Sequence, residues 1–251
     1  AEGVHLDLHG GGNSAGYVLM GANADFSGDQ CDAPQETVSV GDPIYTRSGA
    51  FYMSEQDLGV QTGCQNLSLH FERSYSSIGV ASSIFGQGWT HNYNQKIVTL
   101  NNGYVIVQRP QGGFLLFQDV GGDIYATRPG SQKTLVKLPG GGWALVGNDR
   151  SADIFDAEGR LAAQQDPNGN LIWLTYETYD QGGQTGTRLA RVDAAGGRYI
   201  WFGYDYYEPT VLTQVADNAG RTVYYTYNSF GFLETVTDVS GGSTTYVYDG
   251  L

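Results

Sequence analysis

Several patterns have residue types and spacings that could do chemistry. Gly12-Asn13-Ser14-Ala15-Gly16 matches the G-x-S-x-G spacing of a nucleophile elbow, where a serine sits on a sharp turn between a strand and a helix. Val4–His9 reads as a strand, but Tyr17–Phe26 carries no helical period, so the match reads as a glycine-rich loop. His5, Asp7 and His9 alternate onto one face of that strand. At about 3.3 Å per residue the two histidines stand roughly 13 Å apart, too far to share one metal ion. His91 follows Trp89 and Thr90 with no base–nucleophile partner in view, so a packed, hydrogen-bonded ring is expected. Asp and Glu are plentiful, but no spacing marks a facing pair for glycoside hydrolysis. Asp166-Pro167-Asn168-Gly169-Asn170 comes nearest to a calcium loop and reads better as a turn. No phosphate loop or dinucleotide fingerprint is present. These readings predict a chain that is not an enzyme and has no cofactor and no metal site.

Two cysteines remain, Cys31 and Cys64, in polar Gly/Gln/Asp-rich surroundings. Buried free thiols are one reading. A disulfide is the favoured one, and it implies an oxidising compartment. Such a bridge would stabilise the fold by about 3–4 kcal/mol through loop entropy. Asn66-Leu67-Ser68 is a glycosylation sequon, with force only in a glycosylating host.

The surroundings of these residues are all β in pattern. The chain has 251 residues, 37 of them glycine and 18 tyrosine, and glycine shows no collagen period. Short alternating runs such as Ser68–Arg73, Tyr104–Val107, Phe114–Phe117 and Thr134–Leu138 lie between Asn102-Gly103, Gly112-Gly113, Gly121-Gly122 and Gly140-Gly141-Gly142. Alternation bounded by glycine turns predicts antiparallel strands and hairpins. The net charge of −13 argues against nucleic acid and anionic lipid as partners. No apolar run is long enough for a membrane helix, so no membrane insertion is expected.

An internal repeat fills the last hundred residues. Four turns, Asp166 to Gly169, Asp193 to Gly196, Asp217 to Gly220 and Asp238 to Gly241, each precede a strand ending on Tyr176, Tyr204, Tyr227 and Tyr248. Asp three residues before Gly is turn chemistry: the carboxylate bonds nearby backbone and glycine takes the left-handed position. The glycine-to-tyrosine spacing is 7 in three copies and 8 in the second. Leu-x-x-Val precedes three of the aspartates, at Leu189/Val192, Leu212/Val215 and Leu233/Val236. Counting back by two from each tyrosine gives one face: Leu174 and Ile172, Phe202 and Ile200, Tyr225 and Val223, Tyr246 and Thr244. The opposite face carries Trp173, Trp201 and Tyr224. One such unit cannot bury its own apolar column, so neighbouring units must stack.

The repeats resemble the YD repeats of the RHS family, shared with toxin-complex shells and teneurins. The resemblance rests on Phe155-Asp156-x-x-Gly159-Arg160-Leu161, Tyr227-Asn228-x-x-Gly231-Phe232-Leu233-x-x-Val236-Thr237-Asp238 and Tyr248-Asp249. Upstream, Gly41-Asp42-Pro43-Ile44-Tyr45-Thr46-Arg47-Ser48-Gly49, Leu67-Ser68-Leu69-x-Phe71-x-Arg73-x-Tyr75 and Phe85-Gly86-x-Gly88-Trp89-Thr90-His91-x-Tyr93 resemble the domain that often opens such proteins. The resemblance covers about residues 38–251. It implies a β-sheet spiral or ribbon, export to the cell surface or beyond, and a structural role. Two family features, a C-terminal toxin domain and the aspartyl self-cleavage region, have no evident counterpart within residues 1–251.

The resulting expectation has three sections: an irregular leader over 1–37 with one strand, a β domain over 38–150 and a repeat array over 151–251. The expected role is an exported, non-enzymatic scaffold. It would be an extracellular assembly subunit that polymerises by β-strand addition, or part of a toxin-encapsulating shell. Its partners would be further copies of itself or the remainder of a larger RHS protein. The alternative is a carbohydrate-binding or adhesin module using Trp143, Trp173 and Trp201, residues that a β core would equally bury.

Overall fold

The computed structural model describes residues 7–8, 17–18, 44–45, 50–60, 67–77, 83–110, 113–127, 132–181 and 183–248. Every regular element among them is a β-strand, and every strand pairing is antiparallel. In the leader, β1 (Asp7–Leu8) pairs with β2 (Tyr17–Val18). His5, His9, Ser14, Cys31, Cys64 and Asp249 lie outside the described residues, and with them the expected cysteine bridge.

A second sheet has four strands in sequence order: β3 (Ile44–Tyr45), β4 (Ala50–Val60), β5 (Leu69–Ser76) and β6 (Trp89–His91). The main sheet has fifteen strands, each beside its neighbour in sequence. Its first half holds β7 (Lys96–Thr99), β8 (Tyr104–Gln108), β9 (Phe114–Gly121), β10 (Ile124–Ala126), β11 (Lys133–Lys137), β12 (Trp143–Gly147), β13 (Ala152–Phe155) and β14 (Leu161–Gln165). Its second half holds β15 (Leu171–Gln181), β16 (Gln184–Ala194), β17 (Arg198–Tyr204), β18 (Leu212–Asp217), β19 (Thr222–Tyr227), β20 (Leu233–Thr237) and β21 (Ser243–Thr245). β12 and β13 form an ordinary hairpin around residue 150, so one sheet runs from the upstream section into the repeats.

The order follows from local chemistry. Alternating strands separated by short glycine turns can only pair with their neighbours, which gives a meander. The sheet curls without closing into a barrel. At its curl, Ile97 N–H donates to Gly159 O at 2.8 Å. A Cβ on Gly159 would stand 2.6 Å from the Ile97 carbonyl oxygen, so only glycine permits this approach.

The inner face of the curl forms the core. Val105, Val107, Leu115, Phe117, Leu135, Phe155, Leu161, Ile172, Ile200, Phe202 and Val223 are buried there. The four-stranded sheet and the segment 83–93 pack onto this face. Phe71 meets Phe202 at 5.1 Å, Phe85 meets Tyr225 at 5.0 Å and Trp89 meets Tyr246 at 5.0 Å between ring centroids. Each such ring contributes about 1.5–3 kcal/mol by leaving water. Trp143 belongs to this interior too. It is 4% exposed, edge-on to Tyr125 at 5.1 Å, so it is not available for stacking on a sugar.

Candidate functional site

Each repeat begins with a leucine that faces the core. In a regular strand, residues three apart point to opposite faces. Yet Leu189 and Val192, Leu212 and Val215, and Leu233 and Val236 are all buried. The register explains it. Tyr176 pairs with Leu189 and Thr175 with Arg191, so Ala190 is an extra residue. Thr213 and Glu234 are skipped in the same way, and Ala162 in the partial unit upstream. A β-bulge one residue after each leucine turns the alternation over and brings both apolar side chains inward.

Five residues after the leucine the chain turns. At Asp166, one carboxylate oxygen accepts the N–H groups of Asn168 and Asn170, and Gly169 N–H donates to Asp166 O. Asp217 accepts from Ala219 and Arg221, and Asp238 from Ser240 and Gly242. Gly169, Gly220 and Gly241 take positive φ of 86°, 82° and 87°. Asn228 builds the same turn on the opposite rim, accepting from Phe230 and Phe232.

Asp193 differs from its expected role. It lies within β16, paired with Trp173 on one side and Tyr199 on the other, and it accepts from the Arg191 guanidinium. Its turn opens at Ala194, which pairs with Arg198. The cause is a second glycine: both Gly196 and Gly197 hold positive φ, at 79° and 73°. Gly197 occupies the position that Gly169 holds in its own turn. Counted from Gly197, the odd eight-residue spacing to Tyr204 becomes the common seven.

The four tyrosines do one job. Tyr176 OH donates to Leu161 O at 2.8 Å, Tyr204 OH to Leu189 O at 2.7 Å, Tyr227 OH to Leu212 O at 2.6 Å and Tyr248 OH to Leu233 O at 2.6 Å. Each tyrosine thus reaches back fifteen residues to the leucine that opens its own repeat. Tyr176, Tyr204 and Tyr227 also pair with the leucine that opens the next one. In three of the four units the residue before the leucine packs against a tyrosine ring. Arg160 lies 5.0 Å from the Tyr176 ring, Arg188 4.4 Å from Tyr204, and the Phe232 ring 5.1 Å from Tyr248. Burial raises the Tyr176, Tyr204 and Tyr227 hydroxyls well above the ordinary phenol value, so they remain donors.

A polar node fastens the four-stranded sheet to the repeats. Asp57 accepts from Arg73 Nε at 3.0 Å and from Tyr225 OH at 2.8 Å. Arg73 donates onward to Tyr246 OH at 2.8 Å and lies over the Trp89 and Tyr246 rings. Trp89 Nε1 donates to Tyr248 OH at 2.8 Å. Burial pushes the Asp57 carboxyl up against the opposing pull of Arg73 and Tyr225. Gly86 seats the contact: a Cβ there would stand 2.4 Å from Gly231 O. Tyr225 and Tyr246 read from sequence as column residues, but their tie to Asp57 and Arg73 spans more than 160 residues and leaves no local signal.

His91 stands behind this node, 5.6 Å from the Phe71 ring and buried. Burial lowers its pKa to about 3, so the ring is neutral at ordinary pH. Its Nδ1 meets no hydrogen-bond partner among the described residues. Among those residues no group of three or more His, Cys, Asp or Glu side chains is placed to hold a metal ion, and no helix is long and apolar enough to cross a membrane.

The outer face of the repeat sheet is different in kind. Trp173, Trp201 and Tyr224 are 46%, 41% and 51% exposed, on alternate strands β15, β17 and β19. Residues 41–117, which include β3 to β6 and reach into β9, match the family described as Domain of unknown function (DUF6531). No curated protein matches the chain.

Proposed function

We propose that this chain is an exported, non-enzymatic scaffold of the RHS/YD-repeat type, working outside the cell or at its surface as an assembly subunit or as part of a shell. One observation carries the reading. The same unit of leucine, bulge, turn and tyrosine recurs four times, and each unit is closed by a hydroxyl bonded to its own first carbonyl. Such a unit serves stacking on its neighbours. The DUF6531 match falls on the section that resembles the domain opening RHS proteins, which is consistent with this reading.

The scaffold grows at β21. All three of its residues are exposed, and among the described residues it pairs on one side, with β20. Tyr246 N–H turns inward to Glu234 O at 2.8 Å, so the N–H of Thr245 turns outward. A further strand adds there, from the remainder of a longer RHS chain or from a second copy. Light scattering after gel filtration across a concentration series tests this. Concentration-dependent assembly that Thr245→Pro abolishes is the expected result, since proline removes the outward donor and keeps the inward pairing. A strict monomer at every concentration contradicts growth by self-addition at this edge.

A further inference from the structure

We propose that the loop between β17 and β18 is a binding site for a quaternary ammonium group, the trimethylammonium head of choline, held in the corner between Tyr206 and Tyr207. The site lies on the rim of the sheet and does not depend on growth at β21.

The loop combines a fixed backbone with free rings. Asp205 Oδ1 accepts the N–H groups of Tyr207 at 2.7 Å and Glu208 at 2.9 Å. Asp205 N–H donates to Val211 O at 2.9 Å and Val211 N–H to Glu208 O at 2.8 Å, which closes the loop at its base. Arg188 Nη1 donates to Pro209 O at 2.7 Å, and Pro209 is buried. A loop bonded in this way holds one shape and presents its side chains at little further cost in entropy. Yet Tyr206 and Tyr207 are 74% and 86% exposed, and neither phenol hydroxyl meets a hydrogen-bond partner among the described residues. Rings that bury so little contribute little to the core, which leaves recognition as their use.

The geometry of the pair selects a cation. The ring planes stand at 90° with centroids 5.2 Å apart. They form two walls of an open corner, and each wall carries the negative face of an aromatic quadrupole. A compact cation seated there lies within about 6 Å of both centroids, the range of cation–π attraction. Glu208 follows in the chain, exposed and without an ion pair among the described residues. Arg188, the cation bound to the loop, is already paired with Glu177 at 2.7 Å. The corner thus carries negative charge that no cation among the described residues neutralises.

Hydration decides between cations. A primary ammonium such as that of lysine is a compact, strongly hydrated charge, and an open corner returns too little for the water it must shed. A trimethylammonium group spreads its charge over methyl groups, holds water weakly and brings apolar surface to the rings. The corner is open on its outer side, so a head group at the end of a longer molecule can enter it.

Saturation-transfer NMR on the N-methyl protons of choline tests the proposal, with the uncharged isostere dimethylbutanol and with lysine amide as comparisons. Transfer to choline is expected, with both comparisons much weaker. Tyr206→Ala and Tyr207→Ala should each lower the affinity about fivefold, while Tyr207→Phe keeps it, because the ring face and not the hydroxyl does the binding. Glu208→Gln should lower it about twofold, an effect lost in high salt. Phe230→Ala is the control: Phe230 is 75% exposed on the β19–β20 turn and makes no ring contact with either tyrosine, so this variant should bind as the parent does. An unchanged thermal midpoint would show that each variant keeps its fold; should Tyr206→Ala fail to fold, Tyr207→Ala against Tyr207→Phe carries the test. Cosedimentation with phosphatidylcholine vesicles identifies the source. Retention assigns the site to a lipid headgroup, choline transfer without retention assigns it to soluble or polymer-borne choline, and either outcome sustains the corner. No transfer to choline, equal transfer to dimethylbutanol or lysine amide, or an unchanged signal in both Tyr206→Ala and Tyr207→Ala overturns the proposal.

Discussion

Removing one hydroxyl should expose the role of the tyrosines. Tyr204→Phe keeps the ring and leaves Leu189 O without its phenol donor, which costs about 1–3 kcal/mol by the penalty for an unmet buried acceptor. Urea midpoints measure it, and a change within error would mean that water or backbone satisfies that carbonyl. The aspartates separate more sharply. Asp217→Ala loses two backbone N–H bonds and the Arg221 guanidinium, and should cost about 1–2 kcal/mol by analogy with a lost cap. Asp193→Ala removes only a partly exposed pair with Arg191 and should stay within about 0.5 kcal/mol. Acid behaviour follows from the same turns. The Asn170 side chain holds Asp166 below the usual carboxyl range, and the Ser240 side chain does so for Asp238. A depressed folded-state pKa stabilises fully above the unfolded value of about 3.9 and is lost as pH falls through the folded value. Asp166→Asn and Asp238→Asn should therefore flatten the loss of stability below about pH 4. At this scale the turn and tyrosine positions were legible because Asp, Gly and Tyr act locally. Asp193 misled because the adjacent Gly196 and Gly197 offer two places for one left-handed residue.

Bulges decide which way the elements face. Leu-x-x-Val is visible in the sequence, and its odd spacing was the available sign that each strand carries an extra residue. Alternation alone does not place that residue, since it depends on pairing across strands. Deleting Ala190 should swing either Leu189 or Val192 to the outer face and cost several kcal/mol, as large core losses do. Hydrogen exchange at β16 and β17 would report it; full protection in the deletion variant would mean that the bulge is dispensable. The outer face shows the converse. Trp173 and Trp201 stand on the face opposite the tyrosine column, as the count back from each tyrosine requires. Trp143 lies in β12, outside the repeat count, and its burial is set by Tyr125 and the curl of the sheet.

The whole molecule is held together by contacts that no local pattern announces. The four-stranded sheet and the repeats share Phe71, Phe85, Trp89, Asp57 and Arg73, so they should unfold as one. Gly86→Ala drives a methyl into Gly231 O and should undock them, turning one calorimetric transition into two. A single transition at an unchanged temperature would contradict a shared core. The all-β meander was legible from alternation and glycine turns. The docking was not, because it joins residues far apart in the chain. The proposed scaffold is one that extends strand by strand at β21 through further copies of the chain. Negative-stain electron microscopy of concentrated protein tests it most directly. Regular fibres of even width that Thr245→Pro disperses are the expected result. Single particles of monomer size at every concentration would contradict growth by addition of further copies at β21.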